Sequence, residues 1–246
     1  MEAVILAAGN GSRMGEITQN LPKIFIDINE KSLYRHQVER IAPYCDQITF
    51  VLGHGFETNT NPASKFVLED LESEVEFDFK VIDDWENKEN AHSAFVGLQD
   101  IHDDTLLICG DVIFTQEVIQ KIVNRFSSQF EPAGFNGVGA IEGLQDQMTS
   151  VRWDEHGVIT EYGAIEGHQE IGVFVLHSDY MPEAQEILKQ NPDNWFPIIF
   201  QELPSKRIIV DEEERHEINT PEHLDKAREK WDKRSLELTT GKQNSY

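Results

Sequence analysis

The stretch that most constrains this chain is its beginning, Val4-Ile5-Leu6-Ala7-Ala8-Gly9-Asn10-Gly11-Ser12-Arg13-Met14-Gly15. An apolar run this short, closed at once by glycines, leaves no room for a helix. It predicts a buried parallel strand feeding a tight turn. Glycines there let backbone N–H groups come close to an anion, and the positive end of a following helical turn adds to the field. Arg13, with Lys23 of Leu21-Pro22-Lys23, then supplies side-chain charge suited to a polyphosphate. A plain strand-to-helix turn with a surface arginine accounts for the same letters, so the loop needs support from the rest of the chain. Two familiar glycine loops fail on spacing. The dinucleotide fingerprint is G-x-G-x-x-G, and Gly9, Gly11 and Gly15 are spaced one residue too long for it. The NTPase phosphate loop needs a lysine directly after its last glycine, and none follows Gly11 or Gly15.

The chain then settles into a strand–helix rhythm. Ile24–Ile28, Gln47–Leu52, Phe77–Ile82 and Thr105–Cys109 read as strands. Ser32 is placed to cap a helix through Ile41, and further helices are expected from Pro62 to about Glu72, over Ala91–Ile101 and over Gln116–Ser127. This alternation predicts an α/β fold with a doubly wound, mostly parallel, Rossmann-like sheet. Ligands in such a sheet bind outside the carboxyl ends of the strands. Beyond residue 130 the pattern shifts to short strands at Gly137–Ile141, Ser150–Trp153, Gly157–Tyr162 and Ile171–Leu176. Helices around Pro182–Lys189 and Phe196–Leu203, a strand at Ile208–Val210 and a last helix from Pro221 to about Leu236, capped by Thr220, complete the reading.

Leu6-Ala7-Ala8-Gly9-Asn10-Gly11-Ser12-Arg13-Met14, followed by Leu21-Pro22-Lys23, resembles the signature of the nucleotidyltransferases that join NTPs to sugar phosphates and small phosphorylated alcohols. The resemblance implies a sheet of the nucleotidyltransferase type with a smaller mixed acceptor-binding part. It implies one domain over 1–238, with a nucleotide-binding half to residue 130, an acceptor-binding half from 131, and a flexible tail over 239–246. Leu6, Ala7, Ala8, Gly9, Asn10, Gly11, Arg13 and Lys23 would hold the nucleotide, and Arg13, Lys23 and Asp111 would be catalytic.

Further stretches carry the resemblance along the chain. Gly110-Asp111-Val112 resembles the family's G-D motif, whose aspartate ligates the metal; a carboxylate at a strand end suits Mg2+ on its own account. Glu217-Ile218-Asn219-Thr220-Pro221-Glu222-His223-Leu224 resembles the late motif [DE]-I-[DN]-T-P-E-D-L, whose third position gives the second metal ligand. Asn219 stands there with a neutral amide oxygen, a weaker ligand than the common aspartate, and His223 replaces another aspartate. Asn219-Thr220 also fits as a helix cap, and the two roles are compatible. Asn90-Ala91-His92-Ser93 resembles the stretch that touches base, ribose or acceptor, so Asn90 and Ser93 join the nucleotide set. His92 and His54 read as structural wall rather than as bases. Glu170-Ile171-Gly172-Val173 resembles the lining of the acceptor pocket, with Glu170 facing a hydroxyl or an ammonium and Gly172 permitting close approach. A plain strand with an exposed glutamate is the alternative there. Two lysines that many relatives use for the acceptor's phosphate are replaced by Ser150 and Ala164, leaving Arg152 as the substitute if it turns inward.

The resemblance therefore implies Mg2+-dependent transfer of a nucleotidyl group from an NTP, CTP favoured, to a small phosphorylated or phosphonate acceptor. A sugar-1-phosphate uridylyl- or thymidylyltransferase is the close rival, and a nucleotide-binding regulatory module without turnover is the alternative of another kind. Forty-five acids against 21 bases give a net charge of -24, which excludes a general nucleic-acid footprint. The acids are dispersed, which predicts a salt-adapted host with an acidic proteome. No apolar run reaches the ~18 residues of a membrane span, and Glu2 sits in a strand-like N-terminus unlike a signal peptide. Cys45 and Cys109 are expected as buried free thiols in a reducing cytoplasm. The expected partners are the NTP and its acceptor, with neither nucleic acid nor membrane, and a homo-oligomer is compatible with the chain.

Overall fold

In the computed structural model, which describes residues 1–19, 21–56, 61–68, 75–145 and 149–241, the opening apolar run is strand β1 (Glu2–Ala7) inside a nine-stranded sheet. Ala3, Ile5 and Ala7 enter one core, while Val4, Leu6 and the following Ala8 enter another. Burial on both faces is why the run is apolar throughout instead of alternating with polar residues.

The chain continues through a small hairpin of β2 (Asp27–Ile28) and β3 (Lys31–Ser32), then α1 (Leu33–Ile41) and β4 (Gln47–Leu52). Next come β5 (Glu76–Val81), α2 (Asn90–Gly97), β6 (Thr105–Cys109), β7 (Val112–Phe114) and α3 (Gln116–Arg125). The second half supplies β8 (Asn136–Gln145), β9 (Ser150–Trp153), β10 (Ile159–Gly163), β11 (Gly167–Leu176), α4 (Met181–Gln190) and α5 (Ile198–Glu202). It ends with β12 (Ser205–Ile209), β13 (Arg215–Glu217) and α6 (Pro221–Gly241).

Strands β5, β4, β1 and β6 are parallel neighbours, with Val4 opposite both Thr49 and Leu107. Strand β11 joins β6 antiparallel, Val173 opposite Ile108, so the second half extends the same sheet. Helices α1 and α3 cover one face through Val38, Ile41, Val118 and Ile122. On the other face, α2 and α4 pack through Ala91, Ala94, Ala184 and Leu188. The expected α/β architecture with a large, mostly parallel sheet is what forms. A third core unites Met14, Ile28, Ile113, Ile218 and Trp231 where α6 closes over the β2–β3 hairpin and the β7–β13 pair.

Local expectations are corrected at several places. Ile24–Ile28 is not one strand: Lys23–Phe25 forms a 3-10 turn, and Asn29 and Glu30 at φ 54 and 67 reverse the chain into β3. The helix expected from Pro62 is a single 3-10 turn, Pro62–Lys65. It ends because Phe66 is extended and packs its ring against Phe50 and Phe79; Glu69–Glu72 lie outside the described residues. Helix α2 stops at Gly97, short of Ile101, and α3 passes at Phe126 into a π-turn. Strands β7 and β13 escaped the sequence reading. Helix α6 runs past Leu236 to Gly241, so the first part of the tail expected to be flexible is helical, and residues 242–246 lie outside the described residues. Its cap is the expected one, Thr220 Oγ1 accepting from the His223 N–H at 3.2 Å. Among the described residues no helix is long and apolar enough to cross a membrane.

Candidate active site

Strand β1 delivers the chain to Gly9-Asn10-Gly11 at its carboxyl end. Gly11 turns at φ 60, and its carbonyl accepts from Met14 N–H at 2.8 Å and Thr18 Oγ1 at 2.9 Å. The following Ser12–Thr18 segment is a 3-10 helix broken at Gly15, whose φ 61, ψ -128 suits only glycine without strain. Met14, 1% exposed, fastens this turn into the third core and leaves its neighbour Arg13 at the surface.

Four side chains from distant segments meet beside this loop. Lys23 Nζ lies 3.1 Å from Asp111 Oδ2 and 3.3 Å from Asn219 Oδ1. Arg13 Nη2 donates to the same Asn219 oxygen at 2.7 Å. The backbone fixes Asp111 closely. Gly110 N–H donates to Leu6 O at 2.8 Å, and a Cβ on Gly110 would sit 2.6 Å from that oxygen. Gln37, fully buried on α1, donates through Nε2 to Cys109 O at 2.9 Å and Val112 O at 2.8 Å. Ile218 N–H donates to Asp111 O at 2.8 Å, which ties the two motifs together. Asn219, 2% exposed, gives its Nδ2 hydrogen to Glu217, and Arg215 Nη2 stands 3.4 Å from that carboxylate's other oxygen.

Asp111 Oδ2 and Asn219 Oδ1 thus converge on one cation, the Lys23 ammonium. The same pair is the sparse oxygen set that would suit Mg2+ alongside substrate phosphate oxygens, so these residues fit that ion. From the convergence two hollows open, sharing Asn90, Cys109 and Asp111. One, of about 190 Å³, follows the loop along Leu6, Ala7, Gly9, Gly11 and Lys23. The other, of about 480 Å³, is walled by Tyr162, Glu170, Trp195, Phe196, Arg215 and Glu217.

Glu170 is held in that larger cleft by Gly172 N–H at 2.5 Å and Thr149 Oγ1 at 3.1 Å. Gly172 turns at φ 74, where a Cβ would sit 2.8 Å from Val112 Cγ1. Burial pushes the Glu170 carboxyl up from 4.5 to about 7; Arg215 opposes the rise and Glu217 reinforces it. The folded state therefore favours the proton. That contribution is fully present below the unfolded value of 4.5 and is lost as pH rises through about 7. Glu170→Gln keeps an acceptor for Gly172 and removes the titration. Its urea midpoint is expected to exceed the wild type's at about pH 8, with the advantage shrinking towards about pH 5.

Leu6, Ala7, Gly9, Gly11, Arg13, Lys23, Asn90, Asp111, Glu170 and Gly172 all border the two hollows, and Asn219 joins them through Arg13 and Lys23. Ala8, Asn10 and Ser93 do not. Ala8 O accepts from His54 N–H at 2.9 Å, Asn10 Oδ1 accepts from Ser12 N–H at 3.0 Å, and Ser93 is buried in α2. The Asn90 oxygen, expected to read a base, accepts from Phe196 N–H at 2.7 Å. His92 pairs with Asp84 at 3.4 Å, and His54 bonds Thr18 O at 2.8 Å. Arg152 turns away from the cleft to Glu161 at 2.9 Å and Glu166 O at 2.8 Å. Ala164 borders the cleft, whereas Ser150 is fully buried, so only one of the two expected lysine positions faces it. Cys109 is a correction: it is partly exposed in the cleft wall, while Cys45 is buried. Sequence reasoning missed Gln37, Trp195 and Arg215. Arg215 had a signal, since it precedes Glu217 by two residues and so shares its face of a strand.

The MobA-like NTP transferase domain model matches residues 3–143, and the chain belongs to that family. The bifunctional protein GlmU of Methanococcus maripaludis strain C5 is 29% identical over 123 residues, 48% of this chain but only 26% of that protein. The chain thus spans a minor part of the length of such relatives. The CMP-5'-(3-aminopropyl)phosphonate synthase of Streptomyces rubellomurinus is 25% identical over 176 residues, 71% of this chain and 26% of that protein. Among solved structures, the inositol-1-phosphate CTP transferase from T. maritima superposes with a TM-score of 0.72 at 21% identity, covering 94% of this chain and 95% of that one. That likeness establishes the fold.

Proposed function

We propose that the chain transfers the nucleotidyl group of an NTP, with CTP preferred, to a small phosphorylated or phosphonate acceptor and releases pyrophosphate. The observation that carries this reading is the meeting of Arg13, Lys23, Asp111 and Asn219 between a glycine loop and an acceptor-sized cleft. The acceptor's phosphate oxygen is already an anion, so it attacks the α-phosphorus in line without a strong base, and the bond to pyrophosphate breaks. Catalysis is then positioning and charge stabilisation. Loop amides, Arg13 and Lys23 bind the triphosphate, and Lys23 leaves its present partners to do so. Asp111 and Asn219 would hold Mg2+, which when bound supplies Lewis-acid charge neutralisation at the phosphates. Glu170, Glu217, Tyr162 and Trp195 line the cleft where the acceptor's far end would lie, and two carboxylates with two aromatic rings favour an ammonium there. The name of the aminopropylphosphonate synthase supports an ammonium-bearing phosphonate acceptor, and that of the inositol-1-phosphate CTP transferase supports CTP.

The test is pyrophosphate release in high KCl with Mg2+, because a net charge of -24 repels itself at low salt. Four NTPs are crossed with aminoalkyl phosphonates, phosphocholine-type acceptors and sugar-1-phosphates. Release is expected with CTP and an ammonium-bearing acceptor. Release only with UTP or dTTP and a sugar-1-phosphate moves the assignment to the rival substrates. Silence with every pair, while calorimetry still shows CTP binding, makes the chain a regulatory nucleotide-binding module.

A further inference from the structure

Asn219 faces chemically opposite neighbours on its two amide atoms. Its Oδ1 accepts from Arg13 Nη2 and Lys23 Nζ at 2.7 and 3.3 Å, side chains that have no acceptor of their own. Its Nδ2 donates to Glu217 Oε1, and an ionised carboxylate has no donor. Only one of the two amide orientations satisfies both sides. The reverse would set an NH2 against two cations and an oxygen against a carboxylate. Glu217 is itself held: Arg215, 7% exposed, places Nη2 3.4 Å from Glu217 Oε2 and donates to Glu170 O at 3.0 Å.

We infer that Glu217, steadied by Arg215, is a positioning residue that locks the Asn219 amide with its oxygen toward the nucleotide loop. A neutral asparagine then presents an oxygen to a cation as dependably as a carboxylate does. The inference rests on reading the site as one for an NTP and Mg2+. An aspartate in place of Asn219 offers oxygen in either flip and needs no such partner. The need for Glu217 therefore disappears in an Asn219→Asp background.

The experiment compares wild type, Glu217→Gln, Asn219→Asp and the double variant by calorimetry of CTP with and without Mg2+, and by thermal unfolding without nucleotide. An amide in place of the Glu217 carboxylate offers donor and acceptor alike, so Glu217→Gln is expected to lose about 10–100-fold of the Mg2+-dependent gain in CTP affinity. Adding Asn219→Asp restores most of it, because the new carboxylate needs no orienting and accepts from the neighbouring glutamine amide. A residue that merely supports the fold is not rescued in this way. Without nucleotide, Asn219→Asp sets a second carboxylate against Glu217, which offsets what it gains from Arg13 and Lys23. Glu217→Gln in the same chain removes that repulsion, so the double variant is expected to unfold above the additive midpoint. Equal Mg2+-dependent affinity in wild type and Glu217→Gln overturns the inference and leaves the proposed function standing. A double variant as weak as Glu217→Gln does the same. Absence of CTP binding by wild type overturns the proposed function instead, and the unfolding cycle then decides the pairing: additive midpoints refute it.

Discussion

Replacing Asp111 by alanine is expected to lower pyrophosphate release by about 10²–10³-fold, the scale of removing one preorganised charge from a reacting centre. The fold should survive. Asp111 contributes its backbone to the frame, through Ile218 N–H at 2.8 Å, and alanine keeps that bond. Its side chain is 27% exposed at the rim of the cleft, and its partner Lys23 retains Asn219 as an acceptor. The unfolding free energy should therefore change by no more than about 1 kcal/mol, as for a partly exposed ion pair. Mg2+-free CTP binding should hold or strengthen, because a carboxylate that repels the triphosphate is gone and Lys23 is freer to reach it. Asp111→Asn separates charge from oxygen: it keeps a donor atom for the cation and should fall between wild type and alanine. Full turnover in Asp111→Ala would remove the metal assignment.

How much of this was legible follows from the kind of signal each residue leaves. Strand β1 was plain because burial on both faces forces an unbroken apolar run, and glycines must follow where the chain turns at φ 60 and 61. Lys23, Asp111 and Asn219 were nameable because each sits in a short motif whose residue types the proposed chemistry calls for. Each is also flanked by a buried residue that holds it in place, Ile24, Val112 and Ile218 respectively. Loop chemistry was harder. Phe66 reads as a helix position by composition, but its ring joins Phe25, Tyr34 and Phe50, and tertiary packing overrides local preference. For Asn10, loop position and residue type cannot say whether an amide faces a substrate or its own backbone. Its bond to Ser12 N–H is local turn chemistry. Arg152 could not be oriented without register; paired with Glu161 across β9 and β10, it points away from the cleft. Gln37 was beyond reach for a different reason. It is a polar residue on an apolar helix face, 72 residues from the carbonyl it serves.

Gln37→Leu should therefore be the most damaging substitution that touches no substrate. Its Nε2 is the donor for both Cys109 O and Val112 O, the carbonyls on either side of Gly110-Asp111. Leucine matches the volume and removes both bonds, leaving the Val112 carbonyl buried and the Cys109 carbonyl partly so. Each unsatisfied group costs about 1–3 kcal/mol, partly offset because Gln37 Oε1 is itself buried without a partner among the described residues, so a net loss of about 2–4 kcal/mol is expected in urea unfolding. Turnover should fall as well, by up to about 10²-fold, because a displacement of about 1 Å at a positioning element is worth that much. Gln37→Glu separates charge from bonding through the sign of its pH dependence. An ionised carboxylate has only acceptors to show two carbonyls, whereas the protonated acid can still donate to one. The folded state then favours the proton, so this variant should be nearest wild type in acid and lose stability steadily as pH rises above the ordinary glutamate range. If Gln37→Leu unfolds and turns over like wild type, the Asp111 turn is held by Gly110 and Ile218 alone. If only Gln37→Glu is damaged, the site rejects the charge and has no need of the bonds.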